Sequence, residues 1–237
     1  MNEIDRQRKY YARTAGSYDS TCCFDENDEH FMALSLLTGI LDHFKIKSLL
    51  DVGCGTGRAI SYLQPRFKDV TFKGIEPVKE LREEAIGKGL DPDCILEGDA
   101  TNLAYSDGQF DCVTMFGVLH HIPNPQVAIK EAMRVSKRIV FLSDHNVYGM
   151  GSTFSKLAKQ TFRDLGLRKL LNVLLTKGKG YHDTSWDGIF YPFSLIDHIP
   201  LVQRNVDTLH VYPTKTFAIN IYRDASHLAL LGIKEPK

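Results

Sequence analysis

Short apolar runs alternate with longer segments of helical periodicity over residues 48–144, and this alternation constrains the fold more than any other feature of the chain. It is the pattern of βαβ units, in which each helix crosses back so that successive strands lie parallel. We therefore predict an α/β fold built on a mostly parallel sheet. The runs that predict its strands are 48–52, 71–75, 94–97, 110–116 and 138–142.

The segments on either side of this region are predicted to complete one domain over residues 1–237. A helix is predicted over 31–44, with a shorter segment over 10–19 before it. Near the other end, β-rich runs at 206–212 and 216–222 flank a short break and predict a hairpin.

Residues 149–203 form the least regular part of the sequence. They begin with a basic helix whose apolar side chains recur at helical spacing, which predicts a solvated face above an apolar underside. An irregular segment at 182–188 holds the only tryptophan and is a candidate lid over a substrate.

Composition excludes several classes of protein. No run approaches the roughly 18 to 20 apolar residues that a membrane span needs, and the charged N-terminal decapeptide is not followed by the apolar core of a signal peptide. The cysteines are odd in number and form no Cys-x-x-Cys pair, which favours a reducing compartment over a disulfide frame. They are Cys22, Cys23, Cys54, Cys94 and Cys112. We expect a cytoplasmic protein.

The chain has no net charge, yet its charges are unevenly distributed. Residues 1–150 carry 17 basic and 22 acidic side chains, whereas 151–237 carry 12 and 7. A neutral protein lacks the broad basic face that nucleic acids require, so no nucleic-acid partner is expected. The segment 156–179 is locally basic and could steer a small anionic acceptor. Peripheral contact with an anionic membrane is the less favoured reading of this segment.

A glycine-rich turn follows the first predicted strand. Glycines there let a ligand reach backbone N–H groups, so a cofactor site is implied. The dinucleotide pattern would need glycine where Arg58 or Ile60 stands, and a P-loop would need lysine then serine or threonine where Arg58 and Ala59 stand. Both phosphate-binding patterns fail. Asp51, just before the turn, suits a ligand that carries positive charge or N–H donors.

The segment Asp51-Val52-Gly53-Cys54-Gly55-Thr56-Gly57 resembles the first motif of the class I S-adenosylmethionine (SAM) dependent methyltransferases. Later segments resemble the same family: 74–77 after the second strand, 98–100 after the third, and 105–122 around the fourth. The resemblance covers roughly residues 49–144 and is weaker at both ends.

The resemblance implies a Rossmann-like methyltransferase fold. This fold is a mostly parallel seven-stranded sheet with one antiparallel strand, here expected from the C-terminal hairpin, and with helices on both faces. Helices in residues 1–46 would cover the cofactor, and residues 150–204 would be inserted as an acceptor-binding cap.

The implied cofactor is SAM, which leaves as S-adenosylhomocysteine. By resemblance, Asp51 and the loop hold its methionine part, Glu76 the two ribose hydroxyls, and Asp99 with Ala100 the adenine. A carboxylate suits the ribose because it accepts two hydrogen bonds. The cofactor-binding residues that we expect are Asp51, Gly53, Cys54, Gly55, Thr56, Gly57, Glu76, Pro77, Asp99, Ala100, Phe116, Gly117, Tyr11 and Tyr18.

His120, with Asp144 to orient it, is the candidate general base, and His121 is the second candidate. A histidine with a pKa near neutrality could remove a proton from an acceptor hydroxyl or amine. Many such enzymes need no base, because a sulfonium leaving group needs positioning more than proton transfer. No metal ion is expected, since the two histidines lack nearby carboxylates or cysteines at ligand spacing in the sequence.

We therefore expect an enzyme that transfers a methyl group to an oxygen, nitrogen or carbon nucleophile of a small-molecule acceptor. Two alternatives remain: a SAM-binding protein without activity, and an oxidoreductase on the same sheet, which the missing third glycine disfavours.

Overall fold

The computed structural model describes residues 2–21, 28–215 and 220–235. Its α-helices are α1 (Glu3–Thr14), α2 (Tyr18–Thr21), α3 (Glu29–Phe44), α4 (Arg58–Leu63), α5 (Lys79–Gly87), α6 (Pro125–Val135), α7 (Thr153–Asp164), α8 (Arg168–Leu175) and α9 (Ile199–Gln203). Its strands are β1 (Ser48–Val52), β2 (Thr71–Ile75), β3 (Ile95–Leu96), β4 (Phe110–Phe116), β5 (Ser136–His145), β6 (His182–Thr184), β7 (Gly188–Phe190), β8 (Thr208–Lys215) and β9 (His227–Ile233). Single 3-10 turns lie at Ala15–Ser17, Leu119–His121, Val147–Gly149 and Leu195–His198.

Seven of these strands form one sheet in the order β3-β2-β1-β4-β5-β9-β8. The strands β1 to β5 pair in parallel, and β9 runs antiparallel to both of its neighbours. The predicted mostly parallel sheet with one antiparallel strand is confirmed. β6 and β7 pair separately as a small hairpin. None of the described helices is long and apolar enough to cross a membrane.

Two apolar cores lie on opposite faces of the sheet. Alternate residues of β1 point to different cores: Leu50 packs with α6, whereas Leu49 packs with α3 and α4. This alternation is the consequence of the two-residue period of a strand, and it places helices on both faces as expected. α6 begins with Pro125, which suits the first helical turn because its missing N–H would have no partner there.

The carboxyl ends of the parallel strands meet at one edge of the sheet. Val52 is paired with Ile75, and Phe116 with Ser143, so the loops after β1, β2, β4 and β5 leave the sheet side by side. Ligands of open parallel sheets bind at this edge.

The predicted C-terminal hairpin is wrong in its second strand. Residues 216–219 lie outside the described part, Asn220 to Asp224 form a turn, and the strand that pairs with β8 is β9. β9 is buried on both faces between β5 and β8, so it reads as a continuous leucine- and alanine-rich run. Such a run lacks the alternation that marks a half-exposed strand.

The basic helix α7 differs from its expected packing. Its apolar side chains were expected to be covered, but Phe154 is 82% and Leu157 60% exposed. Lys159 is buried instead and donates to the carbonyls of Val147 and Met150 at 2.5 and 2.6 Å. These carbonyls stabilise the buried lysine, because an ammonium group that is removed from water needs hydrogen-bond acceptors in the protein.

Smaller differences concern element ends. β3 covers only two residues of the predicted run 94–97, and β5 extends beyond the predicted 138–142 at both ends. The cysteines within the described residues, Cys54, Cys94 and Cys112, are free thiols, and Cys22 and Cys23 lie outside these residues.

Candidate active site

A cavity of about 190 Å³ lies at the carboxyl edge of the sheet. A smaller one of about 40 Å³ shares four of its lining residues, Tyr18, Gly53, Gly55 and Phe116. The larger cavity extends past the ends of β2 and β3, and the smaller one continues behind the glycine loop towards α3. Together the two cavities can hold one elongated ligand, whose two ends would contact different sets of side chains.

The glycine loop between β1 and α4 needs its glycines. Gly53 has φ +73°, and its N–H donates to the Ile75 carbonyl at 2.7 Å. A Cβ there would lie 2.4 Å from a methyl carbon of Val118, and one on Gly57 would lie 2.3 Å from Leu90. Side chains are excluded both by the left-handed backbone and by contact.

Glu76, at the end of β2, presents a buried carboxylate to the larger cavity. Its oxygens accept hydrogen bonds from the N–H groups of Val78 at 2.9 Å and Gly55 at 3.0 Å. Burial raises the pKa of Glu76 to about 7, even though these two donors act in the opposite direction. Its remaining lone pairs can accept hydrogen bonds from hydroxyl groups of a ligand.

Asp51 is the acidic residue of the smaller cavity. The Thr114 hydroxyl donates to it at 2.8 Å, yet burial raises the pKa of Asp51 to about 6. Arg58 and His30 line the same cavity. A buried carboxylate beside an arginine suits a ligand that carries both an ammonium and a carboxylate group.

Asp99 lines the far side of the larger cavity with Ala100 and Pro77. Burial would raise its pKa, but hydrogen bonds from Thr101 and the charge of Arg8 outweigh this and lower the pKa of Asp99. The N–H of Thr101 donates at 2.9 Å, and the Arg8 guanidinium, which comes from α1, donates at 3.0 Å.

The N-terminal helix α1 and the β6–β7 hairpin meet over this edge. Gln7 joins them: its amide oxygen accepts from the N–H of Ile189, and its amide nitrogen donates to the Asp187 carbonyl at 3.1 Å. Tyr11 and Tyr18 pack edge to face with ring centroids 5.8 Å apart, and both line the larger cavity. The N-terminal segment therefore forms part of the cavity wall.

The structure brings His120 and Asp144 together, with His120 Nδ1 2.7 Å from the carboxylate. The other oxygen of Asp144 accepts from the N–H of Leu119 at 2.8 Å. Burial opposes the charged form of His120, but Asp144 and Asp187 raise its pKa to about 10. His120 lies behind His121 and lines neither cavity, which differs from the near-neutral base expected at the ligand.

His121 lines the larger cavity in its place. Its Nε2 lies 2.8 Å from the Tyr11 hydroxyl and 3.5 Å from the Asp187 carboxylate, and its Nδ1 lies 2.8 Å from the Ile189 carbonyl. Burial and the neighbouring charge of His120 lower the pKa of His121. Asp187 belongs to the 182–188 segment identified as a candidate lid, but its local sequence gives no sign of its partners.

The residues assigned to the cofactor from the sequence line one of the two cavities, apart from Thr56 and Gly57. Thr56 is buried, and its hydroxyl donates to Asp19 at 2.6 Å. Sequence reasoning missed the cavity residues that arrive from distant elements, among them Gln7, Arg8 and His30. Helix docking of this kind leaves no local pattern.

Comparison with known proteins identifies a domain whose range includes the glycine loop, Glu76, Asp99 and His121. Residues 50–142 match a family model described as a methyltransferase domain. The ubiquinone biosynthesis O-methyltransferase of Escherichia coli O9:H4 (strain HS) is 27% identical over 190 residues, which are 77% of this chain and 74% of that protein. The corresponding protein of Shigella boydii serotype 18 shows the same identity and coverage.

Solved structures show the same fold at low sequence identity. A SAM-dependent methyltransferase of Thermotoga maritima, described as a possible histamine N-methyltransferase, aligns with a TM-score of 0.63 at 17% identity, over 97% of this chain and 100% of that one. The magnesium protoporphyrin IX methyltransferase of Synechocystis PCC 6803, solved with bound S-adenosylhomocysteine, aligns with a TM-score of 0.62 at 15% identity, over 99% and 100%.

The strand order, the glycine loop at the carboxyl edge and the matched domain all agree, and they identify SAM as the cofactor. The chain is therefore an enzyme that has the fold of the class I S-adenosylmethionine-dependent methyltransferases and carries a methyltransferase domain over residues 50–142.

Proposed function

We propose that the enzyme methylates an oxygen nucleophile of a small-molecule acceptor. The observation that carries this proposal is the position of His121, which lines the cavity beside the Asp187 carboxylate and the Tyr11 hydroxyl. A hydroxyl group must lose its proton as it is methylated, whereas a neutral amine can attack first and lose its proton later. Polar groups able to take up a proton at the cavity wall therefore favour an oxygen acceptor. The name of the E. coli relative, an O-methyltransferase, agrees.

The cofactor is proposed to lie along both cavities. Glu76 would accept hydrogen bonds from the ribose hydroxyls, and Asp99 with Ala100 would bind the adenine. Asp51 would pair with the ammonium of the methionine part, beside Arg58. The glycine loop and the buried Glu76 carboxylate fit this cofactor. The loop admits a ligand against the backbone, and the carboxylate accepts from no hydroxyl group of the residues that the structure describes.

Bound SAM supplies a methyl group on a positively charged sulfur. In the transfer, the acceptor oxygen forms the new C–O bond, the electrons of the C–S bond pass to sulfur, and the acceptor proton leaves to a base or to water. The protein's main contribution is to hold the three reacting atoms in line, which is worth several kcal/mol, roughly 7 to 11 at the upper limit. Phe116 and Gly117 form the wall where this alignment would be set.

We assign the position next to the reacting atoms to His121, not to His120 as the sequence suggested. His121 is in the cavity wall, and His120 supports it from behind with its ring 3.9 Å away. Asp144 is held by the backbone N–H groups of Leu119 and His145, which suits an orienting role for it.

Residues 150–204 are proposed to act as the acceptor cap through the β6–β7 hairpin. The hydrogen bonds from Gln7 hold this hairpin against α1. None of the residues 156–179 lines either cavity, so their positive charge would act on an anionic acceptor only at a distance. The larger cavity of about 190 Å³, lined by α1 and the carboxyl edge of the sheet, favours a small molecule over a macromolecule.

The test is methyl transfer from SAM to a panel of phenols, catechols, carboxylic acids and amines, followed through S-adenosylhomocysteine release. We expect turnover with hydroxyl-bearing or carboxylate-bearing acceptors. Glu76→Gln, assayed in parallel, controls for contaminating activity because it removes the ribose acceptor. Turnover with amines alone would overturn the proposal of an oxygen nucleophile.

A further inference from the structure

Two histidine side chains and one carboxylate converge beside the larger cavity. His120 Nε2 and His121 Nε2 each lie 3.5 Å from an oxygen of Asp187, one from each oxygen of the carboxylate. These atoms all lie within 4.8 Å of one another. The three residues come from the turn after β4 and from the β6–β7 hairpin, so only the fold brings them together.

The opposite nitrogen of each ring already faces an oxygen acceptor. His120 Nδ1 lies 2.7 Å from Asp144, and His121 Nδ1 lies 2.8 Å from the Ile189 carbonyl. Gln7 Nε2 also lies 3.0 Å from His121 Nδ1, but the Ile189 carbonyl can only accept and therefore places the proton on Nδ1, while Gln7 donates to the Asp187 carbonyl. With a proton on each Nδ1, the lone pair of a neutral ring is on Nε2; in His121 this nitrogen lies 2.8 Å from the Tyr11 hydroxyl, and an ion would replace that hydrogen bond. Metal-binding histidines in proteins are oriented in this way.

The separations also have the value expected around a metal ion. Ligand bonds of about 2.0 to 2.2 Å at tetrahedral angles put neighbouring ligand atoms about 3.4 Å apart. Each Asp187 oxygen lies 3.5 Å from one histidine Nε2, so whichever oxygen serves as the single carboxylate ligand already has one edge of this length. We propose that His120, His121 and Asp187 bind a divalent transition-metal ion of the zinc class. The sequence suggested no metal because no carboxylate is near the histidines along the chain. Asp144 stands 24 residues after His120, and Asp187 stands 66 residues after His121.

Charge supports the same ion. Asp144 is fully buried and Asp187 is 19% exposed, and within the described residues their ion pairs are made only with histidine. Two carboxylates with no lysine or arginine leave negative charge in a low-dielectric region. A divalent cation would supply positive charge to both carboxylates, which otherwise depends on protonation of a histidine.

A second group of potential ligands, His120, Asp144 and His145, is the weaker candidate. The Asp144 oxygens already accept from His120 Nδ1, from the N–H of His145 at 2.7 Å and from the N–H of Leu119. A carboxylate so fully engaged orients a ligand and has little capacity to be one. Asp187 is the better ligand because its only described side-chain donor outside the histidines is the Tyr11 hydroxyl, at 3.2 Å.

Three protein ligands leave one tetrahedral position, which is the arrangement of catalytic zinc sites. His121 and Tyr11 line the cavity, so this fourth position lies towards the ligand space. If the proposed function holds, the acceptor oxygen occupies this position and gives up its proton to water more readily on the cation, which then replaces His121 as the group that favours deprotonation. Metal binding itself does not depend on that function.

The experiment uses protein without affinity-tag histidines, dialysed against a chelator and titrated with Zn²⁺ by calorimetry. Co²⁺ serves as a spectroscopic probe, because its visible absorption reports tetrahedral nitrogen and oxygen ligands. We expect one equivalent to bind to the wild type, and Asp187→Asn to weaken Zn²⁺ binding by at least about 100-fold, more than the loss expected from an outer-shell change. His210→Asn, at an exposed histidine of β8, is the matched control and should bind like the wild type.

Asp187 lies on a surface turn, so its amide variant is the least likely of the three to unfold, and circular dichroism together with S-adenosylhomocysteine binding checks this. Absence of Zn²⁺ binding by the wild type in the micromolar range overturns the site, as does equal affinity in Asp187→Asn. The acceptor panel separates this proposal from the function: Zn²⁺ binding without turnover of any hydroxyl acceptor refutes only the function. Turnover of hydroxyl acceptors by protein that binds no Zn²⁺ refutes only the metal site.

Discussion

Replacing Glu76 by glutamine should remove the pH dependence that this side chain gives to the stability of the apo-enzyme, and it should weaken cofactor binding. The side chain is 6% exposed and lines the larger cavity, and among the described residues its carboxylate has two backbone N–H donors and no hydroxyl donor. Its carboxylate therefore has an energetic cost in the absence of the cofactor. Glutamine has the same shape, and its amide oxygen can still accept one of the two hydrogen bonds.

The magnitude follows from the pKa of Glu76, which burial raises from 4.5 to about 7. A group whose folded pKa exceeds its unfolded pKa binds more protons in the folded state, so folding stability falls as pH rises between the two values. At about 1.4 kcal/mol per pKa unit, the full cost is about 3 kcal/mol above pH 7, with under 1 kcal/mol already present at pH 5. The stability of the wild type relative to Glu76→Gln should therefore fall by about 2 to 3 kcal/mol from pH 5 to pH 8.

Urea denaturation of both apo-proteins at pH 5, 6, 7 and 8 measures this difference directly. S-adenosylhomocysteine binding, measured by calorimetry, should be weaker in the variant by about 2 to 3 kcal/mol, the scale of hydrogen bonds to a charged group. Calorimetry at pH 7 in buffers of different ionisation enthalpy should also show that the wild type releases more protons on binding than the variant.

A constant difference in unfolding free energy across this pH range would refute the reasoning, because it would mean that Glu76 titrates alike in the folded and unfolded chains. Unchanged affinity for S-adenosylhomocysteine would separately show that the carboxylate does not bind the ribose.

Three further outcomes are expected. Gly53→Ala should lower the free energy of unfolding by about 1 to 3 kcal/mol and abolish cofactor binding, because its Cβ would lie 2.4 Å from Val118 in a left-handed backbone. Urea denaturation and calorimetry measure the two effects, and full cofactor affinity would contradict this expectation. Gln7→Ala should increase hydrogen exchange in residues 181–191 and raise the KM for SAM, since it removes the bonds from α1 to the hairpin; unchanged exchange there would show that the two segments are held by other contacts. Charge reversal at Lys177 and Lys179 should raise the KM of an anionic acceptor at low salt and flatten its salt dependence, whereas a neutral acceptor should be unaffected; if both acceptors respond alike, the basic segment has no steering role.

The part of the site that could be predicted is the part written in local sequence. Strand, glycine turn and helix follow each other within residues 48–63, Glu76 stands directly after β2, and Asp99 stands three residues after β3. In a parallel sheet the carboxyl ends of the strands lie at the same edge, so residues that follow different strands in the sequence are close together in the fold. The same logic brought Asp144 to His120.

The part that could not be predicted depends on packing between distant segments. Asp187 reaches the histidines only because a short hairpin folds back over the sheet edge, and its sequence neighbours carry no periodicity that would indicate this. The choice of His121 over His120 as the cavity residue depends on the direction of a single 3-10 turn. β9 was missed because a strand buried on both faces has no alternation to detect.

Gln7 and Asp187 are 180 positions apart in the sequence, and the hydrogen bond between them holds the N-terminal helix against the hairpin. We expect cofactor and acceptor to exchange when the N-terminal helix parts from the hairpin. The frequency of that opening would then set an upper limit on turnover, however fast the chemical step is. Weaker hydrogen bonds between Gln7 and the hairpin would make opening more frequent and turnover faster, but they would also admit water to the methyl donor.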